Sequence, residues 1–87
     1  MNKLTFTEKA FEEYLYWQKQ DKKTLKRIND LLKEITRTPF DGTGKPEPLK
    51  GNFSGLWSRR IDGVNRLVYS VNDEQIEIYQ CKGHYDD

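Results

Sequence analysis

Three side chains of this sequence are of the types that acid–base chemistry on a phosphodiester requires. His84 is the only histidine, and an imidazole exchanges a proton close to neutral pH. Glu47 lies between Pro46 and Pro48, which stiffen the backbone on both sides of its carboxylate and make it a candidate base. Arg66 offers a cation for a phosphate. Together they suit RNA cleavage by attack of a ribose 2′-hydroxyl on the adjacent phosphate, a reaction that needs no metal.

Each of these side chains also has a non-catalytic explanation. A lone histidine is commonly an ordinary surface residue, and Glu47 can equally be one more carboxylate of a polar loop. Arg66 can form a salt bridge with Asp62 or with Glu47. Tyr85 and Trp57 have rings that can stack on bases, although Trp57 lies within a strand and fits the core better. Residue types alone therefore leave the roles open.

Motif content excludes most other enzyme classes. The chain lacks a Gly-rich phosphate loop, a nucleophile elbow, a zinc-ligand spacing and a paired Cys–His arrangement. Cys81 is the only cysteine, so no internal disulfide is possible, and we predict it to be a buried small hydrophobe. We expect neither a metal nor another cofactor. Because no apolar run could span a membrane and residues 1–7 do not resemble a signal peptide, we expect a cytoplasmic location without membrane association.

The formal net charge is only +1, but the basic residues are concentrated in two regions. Residues 19–37 contain seven basic and three acidic side chains, and residues 45–66 contain five basic and two acidic ones. Such regions attract the phosphates of nucleic acid. An ordinary solvated helix face explains the first region at least as well. A DNA-binding repressor is disfavoured because no helix-turn-helix signal is present.

Periodicity predicts a strand followed by two helices in the first half of the chain. The strand is 3–6, and Thr7 is a suitable N-cap for a helix that runs to about Gln20. Asp21 can cap a second helix, which Pro39 ends near Arg37. We expect the apolar faces to be formed by Phe11, Tyr14, Leu15 and Trp17 in the first helix and by Leu25, Ile28, Leu31, Leu32 and Ile35 in the second.

The second half predicts a long loop and an antiparallel meander. Residues 38–54 are rich in glycine and proline, so regular structure is not expected there. Trp57, Arg59 and Ile61 alternate with Leu56, Ser58 and Arg60, as in a strand, and further strands are predicted at 66–71 and 75–81. The expected fold class is α+β, with two N-terminal helices packed on one face of a small, mainly antiparallel sheet, in a single domain of residues 1–87.

Six blocks covering nearly the whole chain resemble the YoeB/Txe family of toxins, part of the RelE-like group. The blocks are Tyr-Leu-Tyr-Trp-Gln (14–18), Arg-Thr-Pro-Phe-Asp-Gly (37–42), Gly-Lys-Pro-Glu-Pro-Leu-Lys (44–50), Ser-Gly-Leu-Trp-Ser-Arg-Arg (54–60), Asn-Arg-Leu-Val-Tyr (65–69) and the closing His84-Tyr85. The third and fourth blocks, in this order and at this distance, are specific. The resemblance implies the RelE-like microbial ribonuclease fold.

The resemblance also implies an activity, partners and residue roles. The chain would be the toxin of a type II toxin-antitoxin pair, an endoribonuclease (mRNA interferase) that cuts mRNA in the A site of the 70S ribosome and inhibits translation. Glu47 matches the general base, His84 the general acid, Arg66 the phosphate-stabilising arginine and Tyr85 the aromatic residue beside the histidine. RNA-contacting positions are matched by Lys45, Lys50 and Arg60, although simple surface charge also explains Arg60. A homodimer and a YefM/Axe-like antitoxin, whose disordered segment folds onto the toxin, are expected.

Two questions remain at the level of sequence. A non-catalytic RNA- or ribosome-binding module is the competing hypothesis, disfavoured because the matched working positions are intact. The chain also continues beyond Tyr85 with Asp86 and Asp87, where relatives commonly stop. Their negative charge repels RNA phosphate, so we expect a modest loss of RNA affinity.

Overall fold

The computed structural model describes residues 3–84 and contains two helices and five strands. The helices are α1, Glu8–Gln20, and α2, Lys22–Ile35. The strands are β1, Lys3–Phe6; β2, Glu47–Pro48; β3, Trp57–Arg60; β4, Arg66–Val71; and β5, Gln75–Gln80. A short 3-10 helix, Gly51–Phe53, lies between β2 and β3.

The strands form one sheet in the order β1-β5-β4-β3-β2. Strand β1 is parallel to β5, whereas the other neighbours are antiparallel. A core of buried residues from both helices and from β4 and β5 joins the helices to the sheet. The predicted α+β fold, with two helices packed on a mainly antiparallel sheet, is therefore confirmed.

Both predicted helix starts are confirmed by their caps. The Thr7 hydroxyl accepts a hydrogen bond from the Ala10 N–H at 3.1 Å. The Asp21 carboxylate accepts from the N–H groups of Lys23 and Thr24, each at 3.1 Å. These oxygens satisfy N–H groups that the first turn of a helix leaves without a partner. Within residues 3–84, neither helix is long and apolar enough to cross a membrane.

The apolar face predicted for α2 is confirmed, but that predicted for α1 is partly wrong. Ile28, Leu31, Leu32 and Ile35 of α2 are all buried. In α1 the buried residues are Ala10 and Trp17, whereas Phe11 and Leu15 are 51% and 41% exposed. Adjacent residues of a helix are separated by 100° of rotation. The side of α1 that contains Ala10 and Trp17 faces the core, and Phe11 and Leu15 therefore fall outside it.

The prediction that residues 38–54 lack regular structure is also partly wrong. Glu47 pairs with Ser58, and Pro48 with Trp57, so β2 extends the sheet beyond β3. Proline is tolerated here because β2 is an edge strand, whose outer N–H groups need no partner strand. This pairing was hidden in the sequence because it depends on a partner strand about ten residues away.

Candidate active site

Strand pairing places Glu47 in a row of residues that crosses the sheet. Glu47 lies opposite Ser58, Ser58 opposite Val68, and Val68 opposite Gln80. Directly opposed residues in antiparallel strands point to the same face of a sheet. The neighbours of Val68 along β4, Leu67 and Tyr69, belong to the core beneath the helices. Glu47 and its row therefore lie on the face of the sheet that is turned away from the helices.

Two arginines occupy the same face. Arg60 lies opposite Arg66, two residues along the strands from Ser58 and Val68. Since side chains alternate along a strand, Arg60 and Arg66 share the face of Glu47. The strands that carry Glu47 and Arg66 are separated by β3 alone, a distance of roughly 10 Å. A carboxylate and two cations are thus brought within the span of a short RNA segment.

The guanidinium of Arg66 is anchored at the end of β4. Its Nη1 donates to the carbonyl oxygens of Asp62, at 2.7 Å, and Asn65, at 3.1 Å. The proposed alternative of a salt bridge to Asp62 or Glu47 is not among the ion pairs of the described residues. Carbonyl anchors leave the positive charge of Arg66 available to an anion.

The segment that precedes His84 is hydrogen-bonded to the same end of β4. The Arg66 N–H donates to the Gly83 carbonyl at 2.9 Å, and so does the side-chain amide of Gln80, also at 2.9 Å. The Gly83 N–H donates to Asn65 Oδ1 at 2.7 Å. His84 is exposed and follows directly. The structure therefore brings His84 close to Arg66, while Tyr85 lies outside the described residues.

Helix α1 fixes the start of this segment. Trp17 Nε1 donates to the Cys81 carbonyl at 2.8 Å, and the Cys81 N–H donates to Glu13 Oε1 at 2.8 Å. Burial, assisted by the negative charge of Glu13, raises the pKa of the Cys81 thiol to about 12. The prediction that Cys81 is a buried small residue is confirmed, and its thiol is not a nucleophile at neutral pH.

The three predicted RNA contacts, Lys45, Lys50 and Arg60, are all exposed. Lys45 lies two residues before β2 and Lys50 lies two residues after it, so the two lysines flank Glu47 in the sequence. The loop before Lys45 approaches β3 closely: the Arg60 N–H donates to the Gly44 carbonyl at 2.7 Å. Gly44 has a φ of +87°, and a Cβ there would lie 3.1 Å from the Arg60 carbonyl oxygen, so any other residue would be strained at this position.

Arg59 does not contribute to the basic surface, contrary to the prediction from charge clustering. Its side chain is fully buried and forms an ion pair with Glu34 of α2. It also donates to the carbonyl oxygens of Thr38, Asp41 and Thr43 and to the Tyr69 hydroxyl. The alternation that groups Arg59 with Trp57 and Ile61 was the signal that it points towards the helices.

These contacts attach the loop of residues 38–44 to the sheet and to α2. The Thr43 N–H donates to Glu34 Oε1 at 2.6 Å, and the Tyr69 hydroxyl donates to the Pro39 carbonyl at 2.7 Å. The backbone hydrogen bond from Thr43, together with those from the Thr43 hydroxyl and Arg59, lowers the pKa of Glu34 despite partial burial. Glu34 is therefore ionised at neutral pH, as its pairing with Arg59 requires.

The described residues contain no group of three or more side chains suited to holding a metal ion. What residues 3–84 do offer is a carboxylate and cations on the sheet face turned away from the helices, and an exposed imidazole that directly follows a segment hydrogen-bonded to Arg66. This set can move protons and stabilise a phosphate.

The fold is shared by other solved bacterial proteins. YafQ from Escherichia coli strain BL21(DE3) is 19% identical and superposes with a TM-score of 0.73 over 97% of this chain and 94% of YafQ, a likeness that shows the fold alone. The chain belongs to the YoeB-like toxins of bacterial type II toxin-antitoxin systems, whose family model matches residues 6–85. The resemblance found in the sequence blocks is confirmed.

Individual relatives agree with this assignment. Toxin YoeB of Escherichia coli K12 is 54% identical over 83 residues, which cover 95% of this chain and 99% of the relative. The solved YoeB/ParE toxin from Agrobacterium tumefaciens is 46% identical, with a TM-score of 0.92 over 95% of this chain and 99% of that one. A YoeB–YefM complex from Staphylococcus aureus contains a chain 50% identical, with a TM-score of 0.88 over 98% of this chain and 99% of that one.

Proposed function

We propose that this toxin is a ribosome-dependent endoribonuclease that cleaves mRNA in the ribosomal A site and so blocks translation. The observation that carries the proposal is the set of residues on the sheet face that is turned away from the helices. Glu47, Arg60 and Arg66 share that face, and the backbone leading to His84 is hydrogen-bonded to Arg66. These are the base, cations and acid that 2′-hydroxyl attack on a phosphodiester needs.

In the proposed reaction the Glu47 carboxylate takes the proton of the ribose 2′-hydroxyl. The 2′-oxygen forms a bond to the adjacent phosphorus, and the bond from phosphorus to the 5′-oxygen of the next nucleotide breaks. His84 gives a proton to that leaving oxygen. The products are a 2′,3′-cyclic phosphate and a 5′-hydroxyl, and no metal ion takes part.

Arg66 stabilises the negative charge that builds on the phosphate during this exchange. Loss of one such positioned donor typically lowers a turnover rate by about 10²–10³-fold. Tyr85, beside the acid, stacks on a base of the bound RNA. Lys45 and Lys50 flank β2, and Arg60 shares the sheet face, so the three can hold the backbone of an RNA strand laid along the site.

In this proposal the ribosome completes the geometry by holding the mRNA in a single conformation. Preorganisation of the substrate by the ribosome reduces the entropic part of the barrier. The exposed basic residues of α2 favour binding to ribosomal RNA. This toxin accordingly acts in the cytoplasm, where ribosomes translate.

We propose a YefM-like antitoxin and a second copy of the chain as protein partners. The YefM complex is known for the relative from Staphylococcus aureus described above, and a YoeB dimer from the same organism is 52% identical, with a TM-score of 0.89 over 97% of this chain. An antitoxin segment that folds on binding would cover the site and neutralise the toxin.

The test is primer extension on a message translated by purified ribosomes. Glu47→Gln removes the base and should lower cleavage by at least about 10²-fold, within the usual range for general base catalysis. Glu12→Gln, which changes an exposed carboxylate of α1, is the matched control and should cleave like the parent. Cleavage by Glu47→Gln at the parental rate would overturn the catalytic assignment. A parent that binds ribosomes without cutting would identify the chain as a binding module instead.

A further inference from the structure

The turn between β3 and β4 contains Asp62, whose carboxylate accepts hydrogen bonds from other residues of the same turn. Asp62 Oδ1 accepts hydrogen bonds from the N–H groups of Val64, at 2.8 Å, and Asn65, at 2.7 Å. The side-chain amide of Asn65 donates to both oxygens of Asp62, at 3.2 and 3.0 Å. Burial alone would raise the pKa of Asp62, but the hydrogen bonds from Asn65 and Val64 and the charge of Arg66 together lower it.

The oxygen of the Asn65 side-chain amide binds the segment that leads to His84. Asn65 Oδ1 accepts the Gly83 N–H at 2.7 Å. Only one orientation of the amide satisfies both partners, because the carboxylate needs donors and the Gly83 N–H needs an acceptor. The same turn supplies the two carbonyl oxygens, of Asp62 and Asn65, that anchor the Arg66 guanidinium.

We propose that Asn65, oriented by Asp62, is a positioning residue that fixes the placement of His84 relative to Arg66. This inference rests on the proposed function, in which His84 is the acid and Arg66 stabilises the phosphate. Gly83 has a φ of +85°, a region open to glycine that leaves the chain free to turn there. The bonds to the N–H and the carbonyl of Gly83 restrict this turn from both sides. A displacement of about 1 Å at such a site can cost about 10²-fold in rate.

Asn65→Asp is the most informative single change. It keeps an oxygen for the Gly83 N–H but replaces the two donors that face Asp62 with a second carboxylate, which the first repels. We expect the maximal single-turnover rate on programmed ribosomes to fall by at least about tenfold. The ribosome concentration at half-maximal rate should change by less than about twofold, because the RNA-binding cations are untouched.

The exchange variant Asp62→Asn/Asn65→Asp is the decisive control. It has the net charge of the parent and restores the pair with the amide and the carboxylate interchanged, so that an oxygen of residue 65 still meets the Gly83 N–H. We expect it to recover most of the lost rate. Val64→Asp adds the same charge one residue away on a side chain that is 66% exposed, and it should cleave like the parent.

The outcomes separate this inference from the proposed function. If Asn65→Asp cleaves at the parental rate, or if the exchange variant is as slow as Asn65→Asp, the positioning role is wrong although the ribonuclease stands. An equal loss in Val64→Asp would also overturn it, by assigning the effect to charge. If Asn65→Asp fails to fold, Asp62→Asn, which leaves the Asn65 amide one acceptor oxygen in place of two, should lower the same rate to a smaller extent. A parent that does not cleave overturns both proposals.

Discussion

Arg59 and Arg60 are neighbours of the same type, and the structure gives them opposite environments. Arg60 is exposed on the face of the sheet that is turned away from the helices, whereas Arg59 is fully buried beneath α2. The planar guanidinium of Arg59 has five N–H donors, so it can form hydrogen bonds with several carbonyl groups and one carboxylate at the same time. Its Glu34 partner is what makes burial of the charge tolerable, since an uncompensated buried charge is strongly destabilising.

At the scale of this residue pair, Glu34→Gln should destabilise the protein. The change leaves Arg59 buried without an anionic partner, and such losses cost about 3–5 kcal/mol when both groups are buried. Because the Glu34 side chain is 34% exposed, we expect a smaller cost of about 2 kcal/mol. Urea unfolding at neutral pH measures it. Asp30→Asn, which breaks the exposed pair of Lys26 and Asp30, is the matched control and should change stability by under about 0.5 kcal/mol. Equal effects of the two changes would contradict this account.

At the scale of elements, the loop of residues 38–44 connects α2 to the strand that carries Glu47. The loop is attached by polar contacts to Glu34, Arg59 and Tyr69 and by the ring of Phe40, which packs on the ring of Trp57 in β3 with 4.9 Å between the centroids. Part of this attachment, and with it the approach of the chain to β2, depends on the charge of the Glu34 carboxylate. This is how an ion pair on the helix side of the sheet supports a residue on the opposite face.

Acid should weaken the attachment of this loop to Glu34 of α2. The pKa of Glu34 lies below its ordinary value of 4.5 in the folded protein, so the ionised form is favoured by folding. The resulting stability is present above pH 4.5 and is lost as the pH falls through the lowered pKa. The difference in unfolding free energy between the parent and Glu34→Gln should thus be constant from pH 7 to about 5 and shrink below 4.5. Urea unfolding at a series of pH values tests this; a difference that does not shrink as the pH falls below 4.5 would refute it.

At the scale of the whole molecule, the two ends of the described chain meet. Strand β1 pairs with β5, and α1 holds the residues after β5 through Trp17 and Glu13. The segment leading to His84 is thereby fixed by contacts with residues that are distant in the sequence. The position of the proposed acid is consequently a property of the complete fold.

The two aspartates that end the chain provide a prediction at this scale. Asp86 and Asp87 lie outside the described residues and follow the proposed acid by only two and three positions. A chain that ends at Tyr85 should bind programmed ribosomes modestly more tightly at low salt, by about two- to fivefold. The difference should fade as salt screens the repulsion. Titration of ribosomes at two salt concentrations measures it, and equal affinities at low salt would remove the idea.

Local signals in the sequence were sufficient for much of the fold. The Thr7 and Asp21 caps, the apolar face of α2 and the period-two pattern of β3 depend on residues close together in the chain, and each was predicted. The sequence blocks identified the family, and with it the roles that we propose for Glu47, Arg66 and His84.

Other features were decided only by tertiary structure. The pairing of β2 with β3, the burial of Arg59 and the contact of Asn65 with Gly83 all join residues through partners elsewhere in the chain. The alternation in β3 indicated the direction of Arg59, but its residue type gave no sign of burial, because burial of a charge becomes favourable only when the fold supplies its partners. The sequence by itself supplied the groups that we propose to act on RNA; the tertiary structure decided which of them share a face, and which arginine holds the loop in place.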